Sequence, residues 1–274
     1  MLRFTTSVRP DTRGVAEPRV AELAAIEMVV DVFEPDSDQA TGEVAGVVVL
    51  LHGLYESRRH PDLSRWRQAL VDDGWVTAVP DLRGHGESGG DFFGWGLGDV
   101  DDLTPLADEL ADAFPGRPIV VVGFSYGGLA ALHWMARDAR VEAAVVIASP
   151  ADPAETLPVF VARWAGALAW TAPRSWLTAA FRARLDDLGI NANQLPAETL
   201  AGRFDGRPVL ILHGQADRLV PPDHAERWAA AVGPSARVIL WPDQRHGTIA
   251  WYRGQALADG RAFLRDQAGT ASDR

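Results

Sequence analysis

The sequence predicts an α/β fold: a mostly parallel central sheet with helices on both faces, an antiparallel edge at the N-terminus, and a small helical insert after the sixth strand. Three observations carry this. Val44 to Leu51, Ile119 to Val122, Val141 to Ala148 and Pro208 to Leu212 are short, continuous apolar runs rich in β-branched residues. Such runs suit strands buried on both faces. The stretches between them repeat apolar residues at helical spacing, and strands alternating with helices imply a parallel sheet covered on both sides. The alternation then stops from Ala151 to Gly202, where Pro158, Pro173, Gly189 and Pro196 break the chain into short helices. The expected division is therefore a core of residues 1–150 and 203–274 with a helical cap of residues 151–202.

The elements follow in order. Leu2 to Val8 and Ile26 to Phe33 alternate apolar with polar residues, the pattern of half-exposed strands at an antiparallel edge. Arg19 to Ala25 is compatible with a short helix. Val44 to Leu51 is a central strand ending in His52-Gly53-Leu54-Tyr55. Leu63, Trp66, Leu70 and Val71 mark a helix closed by Gly74. Val76 to Val79 is the next strand and opens into a glycine-rich loop, Asp81 to Ser88. Asp99, Asp101 and Asp102 read as the acidic start of a helix continuing through Leu103, Leu110 and Phe114, with Pro105 best placed in its first turn. After the insert, Pro208 to Leu212 runs into His213-Gly214-Gln215-Ala216-Asp217. Pro222 to Val232 is a helix with Gly233 past its end. Val238 to Leu240 is a last strand, and Gln255 to Gln267 is a closing helix weakened by Gly260.

Between the Ile119–Val122 strand and the helix carrying Leu129 and Leu132 lies Gly123-Phe124-Ser125-Tyr126-Gly127-Gly128. A G-x-S-x-G sequence in this strand–turn–helix context is a nucleophile elbow. The chain must reverse sharply there, which strains the serine backbone. The flanking positions bring strand against helix, and glycine leaves the room. The serine hydroxyl then projects at the carboxyl end of its strand, where ligands of such sheets bind. His52, Asp217 and His246 sit on loops at the same ends.

Composition narrows the chemistry. With 274 residues and 47% apolar content the chain can bury one sizeable core. It has no cysteine, so thiolate nucleophiles, disulfides and cysteine metal sites are excluded. All 26 basic residues are arginine, so Schiff-base chemistry and a Ser-Lys dyad are excluded as well. A net charge of −11 argues against nucleic acid and anionic membranes as partners. No apolar run is long enough to span a membrane, and the first residues lack the apolar core of a signal peptide. The chain therefore reads as cytoplasmic. No H-E-x-x-H occurs, and His60, His133 and His224 have no metal-ligand spacing. Neither a metal nor a cofactor is expected.

A serine nucleophile needs a base, and the base an orienting acid. After Ser125, Asp217 follows a strand and His246 follows the last strand, the chain order found with such elbows. LLHGL at 50–54, DLRGHGES at 81–88, GFSYGG at 123–128, HGQADRLVP at 213–221 and RHG at 245–247 together resemble the α/β-hydrolase superfamily, in particular its lid-bearing serine esterase and lipase-like branch. The resemblance spans most of the chain from about Val44, apart from the insert. It implies that Ser125 attacks an acyl carbon, that His246 takes the proton and passes it to the leaving group, and that Asp217 orients His246. It implies an oxyanion hole made by the backbone N–H groups of Leu54 and Tyr126. The expected activity is hydrolysis of a small carboxylic ester through an acyl-enzyme. Thioester hydrolysis, acyl transfer, amide or carbon–carbon bond hydrolysis and perhydrolysis use the same triad and stay open, as does a ligand-binding protein that retains it. Asp152 and Asp223 are the rival carboxylates for Asp217.

The resemblance leaves other residues with supporting roles. His52 braces the oxyanion loop, and Asp81, Arg83 and His85 hold their own loop together. His213 is structural. Arg245, beside His246, departs from the small residues common there and points to solvent. The insert carries Phe160, Trp164, Trp170, Trp176 and Phe181. As a mobile lid it would roof an apolar acyl site, with Trp164 and Trp176 as its substrate-contacting residues. The insert arginines read by default as solvated, with a substrate carboxylate as the alternative partner for one of them.

Overall fold

In a computed structural model the described residues are 2–5, 25–35, 44–156, 173–248 and 252–271. Eight strands form one sheet in the order β1-β2-β4-β3-β5-β6-β7-β8. They are β1 (Leu2–Thr5), β2 (Glu27–Phe33), β3 (Val47–Leu51), β4 (Val76–Pro80), β5 (Ile119–Phe124), β6 (Val141–Ile147), β7 (Val209–Gly214) and β8 (Ala236–Trp241). The β1–β2 and β2–β4 pairs are antiparallel and every later pair is parallel. The antiparallel N-terminal edge and the parallel centre are those the alternation patterns predict. This is the α/β-hydrolase fold.

The continuous apolar runs divide by strand periodicity between two cores. Val47, Val49, Leu51, Val121, Ala144, Val146, Val209 and Ile211 face one way, under α2 (Leu97–Ala113), α3 (Tyr126–Met135) and α5 (Asp223–Val232). Val48, Leu50, Val120, Val122, Val145, Ile147, Leu210 and Leu212 face the other, under α1 (Pro61–Asp72) and α6 (Gln255–Ala271). Burial on both faces explains why these strands are apolar throughout. β8, at the sheet edge, is half-exposed and its alternation is correspondingly weaker.

One reading of the sequence needs correction here, and another gains its reason. Pro105 lies in the interior of α2, not in its first turn. The helix starts two turns earlier, at Leu97, because Gly96 adopts φ 87° and its N–H donates to the Asp99 side chain at 2.9 Å. Glycines 94, 96 and 98 mask that start in the sequence. Gly260, in turn, is where α6 closes on α1. A Cβ there would meet the Trp66 ring at 2.5 Å, so its cost in helix propensity (about 1 kcal/mol relative to alanine) is the condition for helix-on-helix contact. Trp66 is fully buried and its indole N–H donates to the Tyr252 carbonyl at 2.9 Å.

The Arg19–Ala25 reading lies outside the described residues apart from Ala25. Of the insert, residues 157–172 also lie outside them. The rest holds α4 (Arg174–Asp187) and short 3-10 turns at Ala192–Gln194 and Ala197–Leu200. Phe181, Leu185, Ile190, Ala192 and Leu195 gather there with Ala154 and Leu97 into a small third core. Among the described residues no helix is long and apolar enough to cross a membrane.

Candidate active site

The site begins at the β5–α3 junction. Ser125 has φ 50° and ψ −112°, a strained conformation for a non-glycine residue, and its N–H is held by the Ile147 carbonyl at 2.8 Å. The neighbouring glycines are there for space. A Cβ at Gly123 would meet the Gly127 carbonyl oxygen at 2.3 Å, and one at Gly127 would meet the Leu51 carbonyl oxygen at 2.3 Å. The backbones of β3, β5 and α3 therefore touch, and the serine is presented above them.

His246 lies on the loop after β8. Its Nε2 is 3.0 Å from Ser125 Oγ and its Nδ1 is 2.7 Å from Asp217 Oδ2. With the carboxylate at Nδ1, that nitrogen carries the proton and Nε2 is the acceptor facing the hydroxyl. The Asp217 side chain is almost wholly buried. Its other oxygen accepts the N–H groups of Leu219 and Val220, both at 2.9 Å. The turn that carries it is fixed to the His246 loop, because the Ala216 N–H donates to the Gln244 carbonyl at 3.0 Å. His213 Nε2 donates to the Val220 carbonyl at 2.9 Å from below. Burial lowers the His213 pKa, keeping that histidine neutral in a supporting position. Arg245 is exposed.

The rival carboxylates are occupied elsewhere. Asp152 accepts the Ala154 N–H at 2.8 Å and pairs with Arg182 at 2.5 Å. Asp223 stands in the first turn of α5, where the helix dipole favours an acid.

Leu54 and Tyr126 both line the cavity above Ser125. As the first residue of α3, Tyr126 has no carbonyl a turn earlier for its N–H. The Leu54 loop is locked by two devices. His52 donates from Nδ1 to the Gly53 carbonyl at 2.8 Å and accepts the Leu82 N–H at Nε2 at 3.0 Å. Burial pushes its pKa down to about 4, so this neutral tautomer persists at neutral pH. The buried Arg58 guanidinium bonds Asp31, Asp81 and Glu87 at once. Asp81 also accepts the backbone N–H groups of Arg58 at 2.7 Å and Glu87 at 2.8 Å. Arg83 and Asp102 form a second buried ion pair at 2.7 Å, tying the 81–88 loop to α2.

Sequence reasoning missed a polar pair behind the elbow. The Tyr126 hydroxyl donates to Asp99 at 2.7 Å and accepts the Trp95 N–H at 2.9 Å. Burial pushes Asp99 up to about 7, against the lowering effect of its Tyr126 and Gly96 donors. Acidic residues at a helix start gave no signal of this second role.

The cavity measures about 170 Å³ and holds Ser125 and His246 in its lining. Trp95, Leu129, Pro153, Leu219, Val220 and Tyr252 supply apolar surface. Trp176 does not line it and is 73% exposed. The reason is helical phase: Phe181 and Leu185 face the insert's own core, which leaves Trp176 on the outer side of α4. Trp164 lies outside the described residues. Trp176→Ala is accordingly expected to leave acyl-chain preference on an ester series unchanged; a shifted preference would place this tryptophan over the substrate. Among the described residues no arginine lines the cavity, in keeping with solvated arginines as the default for the insert. Among those residues no cluster of three metal-ligating side chains occurs.

Comparison with known proteins agrees with this architecture. Residues 42–199 match the family described as serine aminopeptidase, S33. Over 239 residues the chain is 31% identical to a monoacylglycerol lipase of Mycolicibacterium smegmatis, covering 75% of this chain and 80% of that protein. Among solved structures it resembles a thermophilic esterase of Thermogutta terrifontis (21% identity, TM-score 0.63, covering 97% of this chain and 99% of that one). It also resembles an esterase of Pyrococcus furiosus (20% identity, TM-score 0.62, covering 88% and 87%). At such identities the structural likeness shows the fold alone, whereas the family match and the lipase relative reach further. The chain belongs to the α/β-hydrolase superfamily and is a serine hydrolase of the S33 family.

Proposed function

We propose that this serine hydrolase cleaves a small carboxylic ester through an acyl-enzyme on Ser125. The observation that carries the reading is the continuous chain of contacts from Ser125 Oγ through His246 to the buried Asp217 carboxylate, at 3.0 and 2.7 Å, opening into a largely apolar cavity. His246 Nε2 removes the Ser125 proton as Oγ bonds to the acyl carbon. The resulting oxyanion lies toward the N–H groups of Leu54 and Tyr126, each such donor being worth about 3 kcal/mol in the transition state. The imidazolium, stabilised by Asp217, returns the proton to the leaving oxygen. The alcohol departs, and a water activated by the same nitrogen hydrolyses the acyl-enzyme.

The lipase relative makes acylglycerols candidate substrates. In this reading residues 151–202 act as the cap over the acyl site. The same residues would serve a thioester, an acyl acceptor other than water, or an amide, the bond that the family's description names. A dehalogenase or epoxide hydrolase is disfavoured, because those place a carboxylate where this chain has Ser125. Turnover of p-nitrophenyl acetate and butyrate tests the reading against a binding protein that merely retains the triad. Multiple turnovers support hydrolysis; stoichiometric binding without release of p-nitrophenol contradicts it.

A further inference from the structure

The cavity has two unlike walls, and each includes residues of a different core of the sheet. Trp95 and Leu129, which pack with the α2–α3 core, line one side, and Pro150, Pro153 and Val220 add apolar surface to the cavity, with Thr156 as a polar exception. The other side is Glu56, His60 and Asp62, next to Leu63 and Tyr252, which share the α1–α6 core. Gly247 donates its N–H to the Tyr252 hydroxyl at 3.3 Å, so the His246 loop is seated against this second wall.

We infer that Glu56 and His60 form the recognition site for the leaving alcohol, selecting alcohols that carry hydrogen-bond donors and turning away those that carry a carboxylate. The inference rests on the ester-hydrolase reading and names the half of the substrate that the polar wall meets. Its first support is direction. His246 delivers a proton to the leaving oxygen, so the leaving group must lie beside His246, whose loop is joined to the polar wall through the Gly247–Tyr252 hydrogen bond.

The second support is local geometry. One Glu56 oxygen, Oε2, accepts the Gly53 N–H at 2.9 Å. The other, Oε1, stands 3.5 Å from His60 Nε2. His60 Nδ1 accepts the Asp62 N–H at 3.3 Å, so the ring proton is on Nε2 and points toward Glu56. Carboxylate oxygen and ring N–H thus face each other at the outer limit of a hydrogen bond. A hydroxyl that donates to Oε1 and accepts from Nε2–H satisfies both. The two side chains are about one-third exposed (34% and 32%), so a ligand can reach them.

The third support is charge. Asp62 is paired with Arg253, whereas among the described residues Glu56 has no arginine partner and no arginine lines the cavity. The wall presents an acceptor and negative charge, which attracts donors and repels an anion.

The test uses three butyrate esters with one acyl group: glyceryl monobutyrate, butyl butyrate, and the butyrate of 3-hydroxypropanoic acid. The wild type is expected to favour glyceryl monobutyrate over butyl butyrate in kcat/KM by about tenfold or more, the scale of a hydrogen bond to a charged group, and to be slowest on the carboxylate ester. Glu56→Gln, which keeps an acceptor for Gly53, should cut the first preference and raise the relative rate on the carboxylate ester by about tenfold. His60→Phe should cut the first preference while leaving the carboxylate ester disfavoured. If Glu56 only braces Gly53, its variant will slow all three esters alike. Constant ratios in both variants, or a wild type that prefers butyl butyrate, overturn the inference. Should Glu56→Gln fail to fold, the ratio in His60→Phe decides. Fluorophosphonate labelling of Ser125 separates the two levels. Labelling with unchanged ratios overturns only the alcohol site; no labelling overturns the hydrolase reading beneath it.

Discussion

Asp217→Asn is expected to lower kcat on a p-nitrophenyl ester by about 10⁴, the scale seen when the acid of such a triad becomes an amide, with the fold intact by circular dichroism. The structure supplies the reason. Asp217 Oδ1 is held by the N–H groups of Leu219 and Val220, and an asparagine carbonyl in the same place can keep both bonds. Its amide nitrogen would then face His246 Nδ1, where Oδ2 now lies at 2.7 Å. An amide N–H there requires Nδ1 to be the acceptor, so the ring proton moves to Nε2 and points at Ser125. The base has then lost its lone pair toward the nucleophile. Asp152→Asn and Asp223→Asn should each cost far less in kcat, because the first residue is engaged with Arg182 and the second with a helix start. A crippled Asp152→Asn beside a mild Asp217→Asn would assign the acid to the wrong strand.

Ser125→Ala should abolish ester turnover and fluorophosphonate labelling together. The substitution removes only the hydroxyl. The strained φ of 50° is retained by the packing of Gly123 and Gly127 against neighbouring backbone. Losing the oxygen does not relieve the strain, so stability should change little and the loss should read as chemistry. Labelling that persists in Ser125→Ala would place the nucleophile elsewhere.

How much of this was legible beforehand depended on the range of the interactions. The buried strands and the elbow are written in local patterns: continuous β-branched runs where two faces are covered, and glycines where backbones touch. The loops ending β3, β5, β7 and β8 were therefore located from the chain alone. Pairings between distant segments left no comparable trace. Arg58 meets Asp31 of β2 and Asp81 and Glu87 of the 81–88 loop only because the fold brings these distant segments together. Tyr126 reaches Asp99 only because α2 and α3 pack together. Gly260 reads as a helix breaker until Trp66 is seen against it. Trp176 shows the converse limit: aromatic content suggested a pocket wall, but helical phase turned the ring outward. Glu56 and His60 lie just beyond the LLHGL motif and carried no signal of their own, and only the cavity shows them lining the same space as Ser125.

The central claim is the covalent intermediate on Ser125. The most direct measurement is rapid acid quenching of the enzyme with p-nitrophenyl butyrate, followed by peptide mass spectrometry. The account predicts one butyryl group on the peptide containing Ser125, formed and lost at rates compatible with turnover, and absent from Ser125→Ala. Steady turnover with no acyl group on that peptide while deacylation is rate-limiting, or a butyryl group on another residue, would contradict it.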